Sequence, residues 1–249
     1  MSHSDPRRVK IGILVPSSNT ALEPLTNAIL NSIPSSEAIV TAHFSRFPVT
    51  KIALSDKALA QFDPEKILFA AQLLADAKVD IIGWSGTSSG WLGFEADEDL
   101  CRQIEKRTGI QATTSVLALN KALKKIEASK LGLVTPYVDD VQAAIIKNYA
   151  AIGIDASAER HLRQTNNVMF ASLDEKFFDR MVEGVVKEGA RVVSTFCTNM
   201  STAQHVDRWE RDLEVTVLDT VTTVLWDALR LCKVRTETIK GWGSIMNIQ

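Results

Sequence analysis

Short apolar, β-branched runs alternate along the whole chain with segments of helical periodicity. Val9-Lys-Ile-Gly-Ile-Leu-Val15 reads as a buried strand, followed by a helix from Thr20 to about Ile33 and a second strand from Glu37 to Phe44. Asp63-Pro64 supplies a helix cap and a first-turn proline. Leu68, Ala71, Leu74 and Ala75 behind them carry the three-and-four spacing of an amphipathic helix. Asp80-Ile-Ile-Gly-Trp84 predicts a third strand, and helices follow over 94–107 and 115–128. The order then restarts: strand 131–135, helix 139–151 ending at Gly153, strand 155–160, helix 173–187 closed by Gly189. Strand 191–196, helix 201–211, strand 215–218 and helix 219–231 complete it. Such regular alternation predicts parallel sheets covered on both faces, an α/β fold.

Composition narrows the classes. The chain has 249 residues, 45% of them hydrophobic, which is enough for one large domain or two small ones with a real core. With 28 basic and 30 acidic residues the net charge is −2, so no charge surplus draws it to nucleic acid or an anionic membrane. The segment Met1-Ser-His-Ser-Asp-Pro-Arg-Arg8 lacks the apolar stretch of a signal peptide, and no later run is long enough to span a bilayer. Cys101, Cys197 and Cys232 are odd in number and lack CxxC spacing, which points to a reducing, cytoplasmic setting. His3, His43, His161 and His205 show no metal-ligand spacing, so no metal is expected, and no Gly-Lys-Ser/Thr follows a glycine-rich turn to cradle a phosphate, so no cofactor is expected either. A homo-oligomer is left open.

The chain also repeats itself. Lys10-Ile-Gly-Ile-Leu-Val-Pro16 matches Lys130-Leu-Gly-Leu-Val-Thr-Pro136, and Asp80-Ile-Ile-Gly-Trp-Ser-Gly-Thr87 lies over Arg191-Val-Val-Ser-Thr-Phe-Cys-Thr198. Two matches in the same order suggest two related halves facing each other. Four loops would then surround one cleft, each at the C-terminal end of a parallel strand, where open α/β sheets bind ligands. They are Pro16-Ser-Ser-Asn-Thr20, Ser85-Gly-Thr-Ser-Ser-Gly90, Pro136-Tyr-Val-Asp139 and Cys197-Thr-Asn-Met200. Rich in hydroxyls and amides and free of lysine and arginine, they suit a small carboxylate held by neutral donors and helix N-termini.

Two other readings of these loops stand beside that one. Gly86-Thr-Ser-Ser-Gly90 satisfies the nucleophile-elbow pattern, with Ser88 as nucleophile and His205 or His161 completing a triad. A pair of α/β halves around a cleft also describes a small-ligand binding protein. Cys197 can be read as a small buried hydrophobe, Tyr137 as a packed loop residue, and Asn19 as a helix cap.

At these residues the chain resembles the aspartate/glutamate racemase superfamily, in its arylmalonate decarboxylase and maleate cis-trans isomerase branches. Val15-Pro-Ser-Ser-Asn-Thr20 is similar to the first-strand motif of the isomerases. Gly86-Thr-Ser88, Thr135-Pro-Tyr-Val-Asp-Asp140 and Trp226-Asp-Ala-Leu-Arg230 are similar to the decarboxylases. The resemblance implies two pseudo-symmetric Rossmann-like domains with the active site between them. Domain boundaries are expected at 1–118 with 219–249, and at 119–218. Racemases of the superfamily place one cysteine on each side of the substrate; here Cys197 has Gly86 as its internal counterpart. The resemblance therefore implies a one-cysteine decarboxylase in which Thr87, Ser88, Tyr137 and the N–H groups near Cys197 and Thr198 hold a carboxylate. Pro16 would line the site. Asn19 and Asn167 match carboxylate-binding asparagines of the isomerases, which keeps isomerisation or racemisation of a small (di)carboxylate as the alternative. Cys197, placed at a helix N-terminus, is expected to have its thiolate favoured. A cysteine substituted at position 86 is expected to raise racemisation.

Overall fold

The alternating pattern folds as two four-stranded parallel sheets with helices on their faces. The computed structural model describes residues 7–249; the polar stretch Met1–Pro6, read above as lacking a signal-peptide core, lies outside the described residues. The first half runs β1 (Arg8–Pro16), α1 (Leu22–Asn31), β2 (Ile39–Phe47), α2 (Asp56–Leu59), α3 (Pro64–Asp76), β3 (Ile81–Trp84), α4 (Ser89–Leu92), α5 (Glu95–Thr108), β4 (Ala112–Thr114) and α6 (Ser115–Lys125). The second runs β5 (Gly132–Thr135), α7 (Asp139–Ala151), β6 (Glu159–His161), α8 (Glu175–Lys187), β7 (Val192–Thr195), α9 (Val206–Leu213), β8 (Thr216–Asp219) and α10 (Thr220–Leu231).

The sheet orders, β2-β1-β3-β4 and β6-β5-β7-β8, are the same when read in each half's own sequence order. In each sheet the chain reverses its winding direction between the first and third strands, so a crevice opens where β1 meets β3 and where β5 meets β7. The central position of β1 explains its composition: Ile11, Ile13, Leu14 and Val15 have no accessible surface, because helices cover both faces. Asp63 caps α3 by accepting the Glu65 N–H, as its place before Pro64 predicts.

Besides the short helices α2 and α4, which the pattern does not signal, and α9, which begins at Val206 and not at 201, two strands differ from it. β4 is only three residues long, too short for periodicity to signal, and is defined by its pairing with β3. β6 begins later than expected, because Asp155 contributes only an isolated bridge to Lys130. After β8, α10 returns to the first sheet and packs on α6, β3 and β4. Gly83 permits that approach: a Cβ there would meet the Val224 side chain of α10 at 3.0 Å. No described helix is long and apolar enough to cross a membrane.

Candidate active site

The loops after β1, β3, β5 and β7 meet between the two sheets and are stitched together by buried polar side chains. The Asn19 carboxamide works in both directions. Its oxygen accepts the Ala21 and Leu22 N–H groups at the start of α1, and its Nδ2 donates to Thr198 Oγ1 at 3.1 Å across the two halves. Asn199 reaches the other way, its Oδ1 accepting from the Thr20 and Ala21 N–H groups at 2.9 and 3.2 Å. Asn199 Nδ2 also donates to the Asn167 carbonyl, and Asn167 Nδ2 donates to Ser18 Oγ at 2.8 Å. A short antiparallel bridge between Lys51 and Asn166 ties the segment after β2 to this cluster.

Cys197 lies at the end of β7, 3% exposed. No helix starts there: the Met200 N–H turns back onto the Cys197 carbonyl, and the chain passes a 3-10 turn at Ala203–His205 before α9 begins. The expected dipole activation is therefore corrected. Burial pushes the thiol pKa up to about 12, and the neighbouring Asn199 and Met200 backbone and the Tyr137 hydroxyl act against that rise. The Asp219 carboxylate behind it adds to the rise. Asp219 is itself held by Thr195 Oγ1 and Thr202 Oγ1, each at 2.6 Å, and caps α10. Tyr137 is 2% exposed, and its Oη lies 2.6 Å from Thr87 Oγ1, so a buried chain links Thr87, Tyr137 and Cys197. Burial holds the Tyr137 phenol well above its ordinary pKa, so it serves as a donor and not as a base.

Beside this chain lies a small cavity of about 20 Å³ lined by residues of both halves. Pro16, Gly86, Thr87, Ser88, Asn167 and Thr198, all expected site residues, are on its wall. Asn19 stands behind Thr198, while Cys197 and Tyr137 join through the hydrogen-bond chain. The remaining wall is apolar and aromatic: Val49, Ile52, Phe62, Trp84 and Trp91. The backbone of Gly86 is not left-handed, so its glycine is required by space alone. A Cβ there would fall inside the Trp84 indole, 2.5 Å from Cε2 and from Cη2 and closer still to Cζ2. Trp84 is in turn fixed by Phe47, ring centroids 5.0 Å apart. A cysteine at 86 would therefore require the Trp84 ring to shift before its thiol could face Cys197.

Sequence reasoning missed Asn199 and the enclosing residues Val49, Ile52 and Phe62. Asn199 sits two residues after Cys197, so the loop containing it was in view, but the helix it caps belongs to the other half. The histidines of the alternative triad are engaged elsewhere. His161 pairs with Asp139 and Glu159, and His205 with Glu175. Among the described residues no group of three His, Cys, Asp or Glu is placed to hold a metal ion.

Comparison with known proteins adds four findings. The family model described as arylmalonate decarboxylase matches residues 26–246. A maleate isomerase of Pseudomonas putida is 30% identical over 219 residues, covering 81% of this chain and 82% of that protein. Among solved structures, a cysteine-to-serine variant of Nocardia farcinica maleate cis-trans isomerase with a covalently bound succinylcysteine intermediate superposes with a TM-score of 0.86 at 20% identity. It covers 96% of this chain and 98% of that one. A variant of arylmalonate decarboxylase carrying a glycine-to-cysteine and a cysteine-to-serine change gives a TM-score of 0.80 at 19% identity, over 95% and 98% of the two chains.

Proposed function

The chain belongs to the arylmalonate decarboxylase family, and from that premise we propose that it removes CO2 from a malonate-type acid without a cofactor, with Cys197 returning the proton. The observation that carries this reading is Gly86 beneath the Trp84 ring, which leaves Cys197 as the single thiol of the site. A racemase of this fold needs an acid–base group on each side of the reacting carbon. An indole N–H in the second position is too weak an acid to serve.

The chemistry follows from the donors. One substrate carboxylate sits among the hydroxyls and N–H groups of Thr87, Ser88 and Thr198. The bond from the α-carbon to the other carboxylate breaks, CO2 leaves, and the electron pair passes into the retained carboxylate as an enediolate. Its two charged oxygens meet preorganised donors, each worth about 2.7–4 kcal/mol in a dry site. The departing carboxylate faces the hydrocarbon of Val49, Ile52 and Phe62, which cannot solvate it. Cys197 then gives its proton to the carbanionic carbon. A thiol with a pKa of about 12 is protonated at neutral pH, the state a proton donor requires. The Tyr137 hydroxyl and the Asn199 and Met200 N–H groups hold the resulting thiolate until it is reprotonated.

A second reading, isomerisation of a small dicarboxylate, is favoured by Asn167. Its buried carboxamide lies on the cavity wall and would stabilise the carboxylate that a decarboxylase must destabilise. The maleate isomerase relative supports the same reading. Proton NMR in D2O on a panel of malonates and maleate separates the two. CO2 loss with deuterium at the α-carbon, abolished in Cys197→Ala, supports decarboxylation. Conversion of maleate to fumarate without CO2 loss overturns it in favour of isomerisation.

A further inference from the structure

The chain has five tryptophans, and those at 209 and 226 place their indole N–H groups conventionally. Trp209 Nε1 donates to Asp179 at 2.7 Å and Trp226 Nε1 to the Ile248 carbonyl at 2.9 Å. Trp84 and Trp91 do not: both Nε1 atoms are buried without any hydrogen-bond partner. Leaving such a donor unmet inside a protein is costly, and native structures rarely do so without a reason. Both indoles line the same cavity as Thr87, Ser88 and Thr198.

The two rings are also held in place. Trp84 packs on Phe47, and Trp91 is wedged edge-on between Phe62 and Tyr137, with centroids 6.0 and 5.2 Å away. The Cε2 edge of Trp84, which carries the nitrogen, is the edge lying over Gly86. Its N–H thus lies on the Gly86 side of the ring.

We infer that Trp84 and Trp91 form a neutral hydrogen-bonding subsite next to the carboxylate hole, and that the substrate presents to it an oxygen acceptor on its α-substituent. The inference rests on Thr87, Ser88 and Thr198 holding a carboxylate, as proposed above. It adds a substrate class: acids whose substituent carries an ether, carbonyl or carboxylate oxygen are preferred over hydrocarbon-substituted ones of the same shape. Neutral donors suit this task, because they recognise an oxygen without the strong field that a lysine or arginine would impose on a departing carboxylate.

Methoxyacetate and butanoate test this, since they are isosteres differing by one ether oxygen and neither can lose CO2. Each is titrated into 15N-labelled protein, with the indole signals assigned from Trp84→Phe and Trp91→Phe. Methoxyacetate is expected to shift the Trp84 and Trp91 N–H signals and to bind about tenfold more tightly than butanoate, a preference reduced in either variant. The Trp209 and Trp226 signals stay still. If both acids move the Thr198 and Asn199 backbone amides equally and neither moves the two indoles, the subsite is overturned while the carboxylate hole stands. A bridging water that satisfies both N–H groups would give that result. If neither acid moves the backbone amides at millimolar concentration, the carboxylate hole itself fails, and the subsite with it.

Discussion

Gly86→Cys, made alone and together with Trp84→Leu, measures whether the indole truly takes the place of a second thiol. A Cβ at position 86 would lie 2.5 Å from Cε2 and Cη2 of Trp84, more than 1 Å inside ordinary carbon contact. Trp84 is 1% exposed and backed by Phe47, so the ring has nowhere to move cheaply. Overpacking of this kind costs about 1–3 kcal/mol, or roughly 2–12 °C in melting temperature for a chain of this size. Trp84→Leu alone leaves a cavity and costs about 2–4 kcal/mol. In the double variant each change relieves the other, so its cost falls short of the sum by at least about 1 kcal/mol. The assay is a thermal and urea denaturation cycle on the four proteins, paired with α-proton exchange in D2O. Only the double variant has room for a thiol opposite Cys197, so only it is expected to racemise a chiral α-substituted acid. Additive costs within about 0.5 kcal/mol, or racemisation by Gly86→Cys alone, would refute the steric reasoning.

Tyr137→Phe removes the hydroxyl that links Thr87 to Cys197; kcat/KM is expected to fall about 10²–10³-fold, with the fold retained by circular dichroism. Asn199→Ala deletes two hydrogen bonds that join the halves and a third, to the Asn167 carbonyl, within the second half, and is expected to cost about 2–3 kcal/mol in urea denaturation. Asp97 is buried and its pKa is raised to about 6 by desolvation, against the hydrogen bond from Thr114 Oγ1. Because the folded state holds this proton more tightly than the unfolded chain, stability falls as pH rises from about 4 through 6. Asp97→Asn is expected to flatten that fall by up to about 3 kcal/mol, as read from melting curves at pH 4 and 8.

How far the sequence reached depended on what sets each feature. The central strands were legible because burial on both faces leaves continuous apolar runs such as Ile11 to Val15. The α3 start was legible because its cap and proline are local. The repeat was legible because equivalent strands occupy equivalent places in the two sheets. The state of Cys197 was not, since the position of a helix start four to nine residues downstream decides whether a dipole reaches it. Nor was Trp84 folding back over Gly86, because the path of a side chain after a strand end depends on what packs above it. Asn199 capping α1 from 178 residues away obeys the same chemistry as a local cap, yet no local pattern announces it.

The central claim is one acid on one face of the reacting carbon. It is tested most directly by the configuration of the product from a prochiral, α,α-disubstituted malonate, resolved by chiral chromatography. The account predicts a single enantiomer from the wild type and no turnover by Cys197→Ala. A racemic product, or an enantiopure product formed at an undiminished rate by Cys197→Ala, would contradict it.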